Sequence, residues 1–167
     1  MTIEFQLARA FTAQAKWNDP KHIRGGKPEL TADDIRAAVC MTLTDHPFAF
    51  HALMAKYCDD SISAVCLHDG LHEHGLLLFH EAYPERVIAG DKHSKLVTCA
   101  IDVFYEPAIF ANMTRAEYDS SIANGMGVHP GTYQTKYREH FQKLSGLLLE
   151  MELVARDDYR RIMSTNV

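Results

Sequence analysis

Apolar residues recur along most of the chain at intervals of three and four rather than in alternation, which is the period of helices with one buried face. Phe5, Ala8, Phe11 and Ala15 predict a first amphipathic helix over 4–16, broken by Trp17-Asn18-Asp19-Pro20. Gly25-Gly26 with Lys21, Arg24 and Lys27 marks 21–28 as a flexible connector. Its functional alternative is a basic contact loop for nucleic acid or an acidic partner. Thr31 followed by Asp34 reads as an N-cap with an acid in the first turn of a helix reaching about Leu43, with Ile35, Val39 and Cys40 on one side. His46-Pro47 opens the next helix, whose apolar face is Phe50, Leu53, Met54 and Tyr57. Asp59-Asp60-Ser61 ends it and starts a short helix through Val65 to His68. Gly70 and Gly75 are expected to interrupt the next stretch, with Leu76–His80 helical and buried. Tyr83 to Asp91 reads as turn and loop, with a strand over Glu85–Ala89 as the alternative.

From Ser94 the pattern strengthens. Leu96, Val97, Ala100, Ile101, Phe104 and Tyr105 share one helical face, and Pro107 ends or kinks that helix. Thr114 and Glu117 have the spacing of a capping box, and Tyr118, Ile122 and Met126 repeat every fourth residue behind it. Gly127-Val128-His129-Pro130-Gly131 predicts a tight turn. A long helix then runs from about Thr132 to Met163, striped by Tyr133, Tyr137, Phe141, Leu144, Leu148, Met151 and Val154. At about 1.5 Å per residue it spans more than about 40 Å. It must pack across the whole domain or project from it, and a second copy of the chain is a candidate to cover it.

Composition narrows the class. The chain has 167 residues, 47% of them hydrophobic and 23% charged, which suits one globular domain and excludes collagen-like or wholly disordered chains. No period of a repeat protein is present. The plain apolar runs, Leu76–Phe79 and Leu147–Leu149, fall far short of the roughly 20 residues of a membrane span. Met1 to Gln6 lacks the basic stretch and apolar core of a signal peptide, so a cytoplasmic chain is expected. Seventeen basic and 22 acidic residues give a net charge of −5, which opposes binding by wholesale phosphate neutralisation. The excess of acid lies in residues 1–93, with 9 basic against 13 acidic groups, whereas 94–167 carry 8 against 9. Cys40, Cys58, Cys66 and Cys99 form no C-x-x-C and are expected reduced and mostly buried.

Residues 114–144 read as helix, short turn, helix. Gly127 permits a left-handed turn, Val128 would plug the core, His129 stands at the cap and Pro130 suits the first helical position. The stretch resembles helix-turn-helix segments of the sigma-factor region 4 type. In such motifs the start of the second helix reads base edges in the major groove. The resemblance assigns DNA contact to Thr132, Tyr133, Gln134, Thr135 and Lys136, with Gln134 suited to adenine and Lys136 to guanine or phosphate. Arg115, Arg138 and Lys143 add basic groups for phosphates. Asn124-Gly125 makes the first helix longer than the pattern, and Glu117, Asp119 and Glu139 leave the segment near neutrality. A plain αα-hairpin with a core-only second helix is the alternative.

A mainly α, single helical domain with a C-terminal helix-turn-helix and a long terminal helix is similar to lambdoid phage antitermination proteins of the Q type, over about the last 70 residues. The resemblance implies a phage-type transcription regulator that binds double-stranded DNA and RNA polymerase or another host protein. Residues 1–93 would then be the acidic partner-binding part and 94–167 the helix-turn-helix part. The paired C-x-x-C zinc motif of one branch of that family is missing. An acidic inhibitor of a host complex, without DNA contact, is the first rival.

The second rival is a small zinc enzyme. His68, His72, His74 and His80 cluster near Cys66, Asp69, Glu73 and Glu81, and His68 and His72 would share a helix face, with Cys58 or Cys66 as a third ligand. The spacing is not H-E-x-x-H, so surface or hydrogen-bonded histidines are expected, and no metal. Cys66 and His68 do not face each other as nucleophile and base. No G-x-S-x-G, P-loop or dinucleotide-binding pattern is present, so neither an enzyme nor a cofactor is expected.

Overall fold

The computed structural model describes residues 47–58 and 60–165. The helices expected over 4–16 and 31–43, and the basic connector at 21–28, lie outside them. The described residues are helical with no strand, and they form α1 (Pro47–Cys58), α2 (Ser61–Ala82), α3 (Gly90–Tyr105), α4 (Pro107–Ala111), α5 (Arg115–Met126), α6 (Pro130–Thr132), a π-helical segment (Tyr133–Tyr137) and α7 (Arg138–Thr165). The loop over 83–89 stays irregular where a strand was the alternative.

The ends of the helices are set by local chemistry. Asp60 caps α2 by accepting from the Ser63 amide at 3.0 Å. Pro107 stands at the first position of α4, directly after α3 has ended. Thr114 and Glu117 form a complete capping box at the start of α5.

Contrary to expectation, Gly70 and Gly75 do not break the chain, and α2 runs without interruption for 22 residues. Each glycine instead admits a neighbour where a Cβ would stand. A methyl at Gly70 would overlap the Phe48 ring, and one at Gly75 would come within 2.8 Å of Leu144 and 3.0 Å of the His93 ring. Close packing offsets the helix propensity lost at glycine.

Four helices form a cycle of neighbours, α1 against α2, α2 against α3, α3 against α7 and α7 against α1, and α5 packs on α3 outside it. The apolar faces read from the sequence meet in this centre. Leu53, Leu67, Leu71, Phe79, Leu96, Val97, Phe104, Ile122, Met126, Tyr133, Phe141, Leu144 and Leu148 are all buried. The 28 residues of α7 extend about 42 Å. Further along α7, buried Glu152 accepts from both Lys56 (3.1 and 3.2 Å) and Arg156 (3.0 Å), and from the Tyr57 hydroxyl. Burial alone would raise the Glu152 pKa, but these donors hold it below the usual value. The ion pair ties α1 to α7.

Among the described residues, no helix is long and apolar enough to cross a membrane.

Candidate functional site

Two parts of the chain concentrate polar chemistry. The first is the junction of α5 with α6. Gly127 adopts φ 66°, ψ 43°, the left-handed conformation that closes a helix C-terminus, and its amide returns to α5. Lys92 Nζ donates to the carbonyls of Met126 (3.3 Å) and Gly127 (3.4 Å), placing a cation at the negative end of α5 and tying the turn to α3. His129 caps α6 by accepting from the Gly131 amide at 3.1 Å, and Pro130 fills the first position.

The π-helical segment comes directly after α6. The Arg138 amide donates to the Tyr133 carbonyl, one residue wider than an α-turn. Gln134 Nε2 reaches Asp119 Oδ2 at 3.2 Å and Arg138 Nε reaches Asp119 Oδ1 at 3.1 Å, with the Arg138 guanidinium also on Oδ2. Asp119 is buried on α5, so this is a charged clamp between the two helices.

The eight residues assigned to DNA therefore part company. Tyr133 has no accessible surface and belongs to the core, where a groove contact needs an exposed side chain. Gln134 and Arg138 are engaged by Asp119. Thr132 is half-buried. Thr135 is exposed, and its hydroxyl donates to the Gly131 carbonyl at 2.9 Å. Lys143 is exposed and lies 3.7 Å from Glu139. Arg115 and Lys136 are exposed, and neither is in an ion pair among the described residues.

The second part is a row of histidines. His68 and His72 stack one turn apart on α2, with planes 5° from parallel. His72 Nδ1 lies 2.9 Å from His93 Nδ1, and His93 Nε2 lies 3.0 Å from His140 Nε2. His93 and His140 are fully buried, brought in by α3 and α7, and Gly75 makes room for the His93 ring. The spacing of His68 and His72 was legible in the sequence. His93 and His140 are 21 and 47 residues further on from His72 and His93, and no local spacing announces them. Cys66, offered as a third ligand, is exposed, and Cys99 is buried.

Burial holds both inner histidines in the neutral form. His93 is depressed to about 3, by burial first and then by its neighbours His140, His72, His68 and His80. His140 is depressed to about 4 by burial and by Lys143. A neutral imidazole has one N–H and one lone pair, so the row has a direction. With His140 Nε2–H donating to His93, and His93 Nδ1–H donating to His72, the buried His140 Nδ1 is a bare acceptor. The opposite direction would leave an N–H there. Among the described residues His140 Nδ1 has no hydrogen-bond partner, and an orphan acceptor costs less than an orphan donor, which favours the first direction.

The row is linear. His93 uses opposite nitrogens for its two neighbours, and the separations are those of hydrogen bonds. Two nitrogens on one tetrahedral zinc would stand about 3.3 Å apart. Among the described residues, no group of three histidine, cysteine or acidic side chains is arranged to hold a metal ion.

No protein family, curated protein or solved structure matches the chain.

Proposed function

We propose that the chain is a transcription regulator of the antitermination type, which meets double-stranded DNA at the α5–α6 junction and relies on RNA polymerase or another protein for most of its affinity. The observation that carries this reading is the junction itself. Its left-handed Gly127 and capped Pro130 start a helix whose Thr135 and Lys136 are exposed, as is Arg115 on α5. The Asp119 clamp makes the pair of helices a rigid unit, as a docking element requires.

The same clamp limits the contact. With Gln134 and Arg138 hydrogen-bonded to Asp119, Arg115, Thr135, Lys136 and Lys143 remain for the nucleic acid. A net charge of −5 adds no general attraction to phosphate. Few contacts and an unfavourable field call for a second anchor, supplied in this reading by the protein partner.

The test is binding to random-sequence duplex DNA at several salt concentrations, repeated with RNA polymerase present. The expected result is binding that falls steeply with salt or that arises only with polymerase. Lys136→Ala should lower the salt slope by about one unit. No binding in either series overturns the proposal and leaves the helix pair as architecture.

A further inference from the structure

An open surface recess of about 420 Å³ lies between the 83–89 loop and the π-helical segment, lined by Phe79, Arg86, Val87, Thr135, Lys136 and Tyr137, four of them exposed. We infer that it is a binding site for a small aromatic anion, a ring bearing one phosphate or carboxylate group. The recess shares Thr135 and Lys136 with the proposed DNA contact, whereas Phe79, Arg86 and Val87 come from α2 and the loop and take no part in it.

Size, charge and surface all point to that class. The volume falls in the range of small-molecule sites. Two cations, Arg86 from the loop and Lys136 from the helix, line one cavity, and neither is in an ion pair with a carboxylate among the described residues. The nearby Glu139 lies 3.7 Å from Lys143 and also feels the charge of Arg86, so a ligand anion would share Arg86 with that carboxylate. An anion in the recess would meet a cation from each of its two walls.

Arg86 is already oriented. Its guanidinium stacks over the Tyr83 ring at 4.8 Å, with Lys143 also near that ring at 5.4 Å. A planar guanidinium can grip two anion oxygens at once. Thr135 spends its proton on the Gly131 carbonyl, which leaves its oxygen free to accept from a protonated ligand oxygen. The remaining surface is apolar and aromatic. Phe79 is buried and Tyr137 half-buried, so a ring in the recess exchanges water for contact with two rings of the protein.

The π-helical segment explains why the recess exists at this point. Its wider turn supplies three consecutive lining residues, Thr135, Lys136 and Tyr137, while Tyr133 and Gln134 stay committed to the core and to Asp119. Such segments interrupt regular helices frequently at functional sites.

The probes are phenyl phosphate, benzoate and inorganic phosphate, titrated into the full chain by calorimetry and followed at the Thr135, Lys136 and Tyr137 amides by NMR. The expected result is saturable one-to-one binding of an aromatic anion, with inorganic phosphate at least about tenfold weaker. Arg86→Ala and Lys136→Ala, both at exposed positions, should each weaken it about tenfold with the melting temperature unchanged. The tighter of phenyl phosphate and benzoate identifies the head group. Failure of both to saturate, inorganic phosphate binding as tightly as phenyl phosphate, or wild-type affinity in both variants would overturn the assignment.

Discussion

Acidification from pH 8 to pH 5 tests the histidine row most directly. In the unfolded chain His93 and His140 titrate near 6.5, and in the folded chain near 3 and 4. Below pH 6.5 the unfolded chain therefore takes up two protons that the folded chain refuses, and stability falls as pH falls. The loss ends only once the folded-state values are passed. Between pH 6 and 4.5 the slope is about 2 kcal/mol per pH unit, and at pH 5 each histidine has removed about 2 kcal/mol, about 4 in all. That is a large part of the roughly 5–15 kcal/mol typical of a small domain. Carboxylates held low in the fold, Asp60 and Glu152 among them, lose their contribution only near and below pH 4.5, and Asp102, held up by burial, acts in the opposite sense, so a fall in stability from pH 6.5 to 5 comes from the histidines. Urea unfolding at pH 8, 7, 6 and 5, with imidazole nitrogen NMR on the folded protein, measures both sides of the cycle. A flat stability profile over that window, or either inner histidine titrating near 6.5 while folded, would refute the account.

Packing and charge set four further outcomes. Gly75→Ala should destabilise by about 1–3 kcal/mol, because its methyl meets a His93 ring pinned by two hydrogen bonds, whereas Gly70→Ala should stay within about 1 kcal/mol, because the crowded Phe48 is 41% exposed and can swing aside; denaturant midpoints compare the two. Glu152→Ala leaves Lys56 without its carboxylate and should cost about 3–5 kcal/mol in urea unfolding. Asp119→Asn should loosen the clamp and lower the melting temperature, and by releasing Arg138 and Gln134 it should raise DNA binding at low salt if the α5–α6 junction is the contact. Cys99, held up at about 11 by burial, should react with a thiol reagent only on unfolding, whereas exposed Cys66 should react at once; timed alkylation with mass spectrometry separates them.

Local signals that do not need a partner were legible in the sequence. The capping box at Thr114 and Glu117, the turn at Gly127, the cap at His129, the stop before Pro107 and the stripes of α3 and α7 are each set by residues within a turn or two of one another. Periodicity of about 3.6 identifies which face of a helix is apolar, and hydrophobic burial then makes that face the core. Tertiary structure decided whatever depends on a neighbour distant in the chain. Gly70 and Gly75 read as breaks, because propensity counts only the glycine and not the Phe48 or His93 ring that fills its space. Tyr133 belonged to the core stripe and to the DNA-facing set at once, and the wider π-turn resolved that overlap by burying it. Gln134 and Arg138 looked available because Asp119 is 15 and 19 residues away from them. The histidine row drew its two buried members from α3 and α7, and the recess at Arg86 and Lys136 joins residues that only the folding of α2 against α7 brings to one surface. Spacing along a chain encodes which side chains share a helix face, but the pairing of faces is fixed by how well whole helices fit together, and that fit is a property of the assembled core.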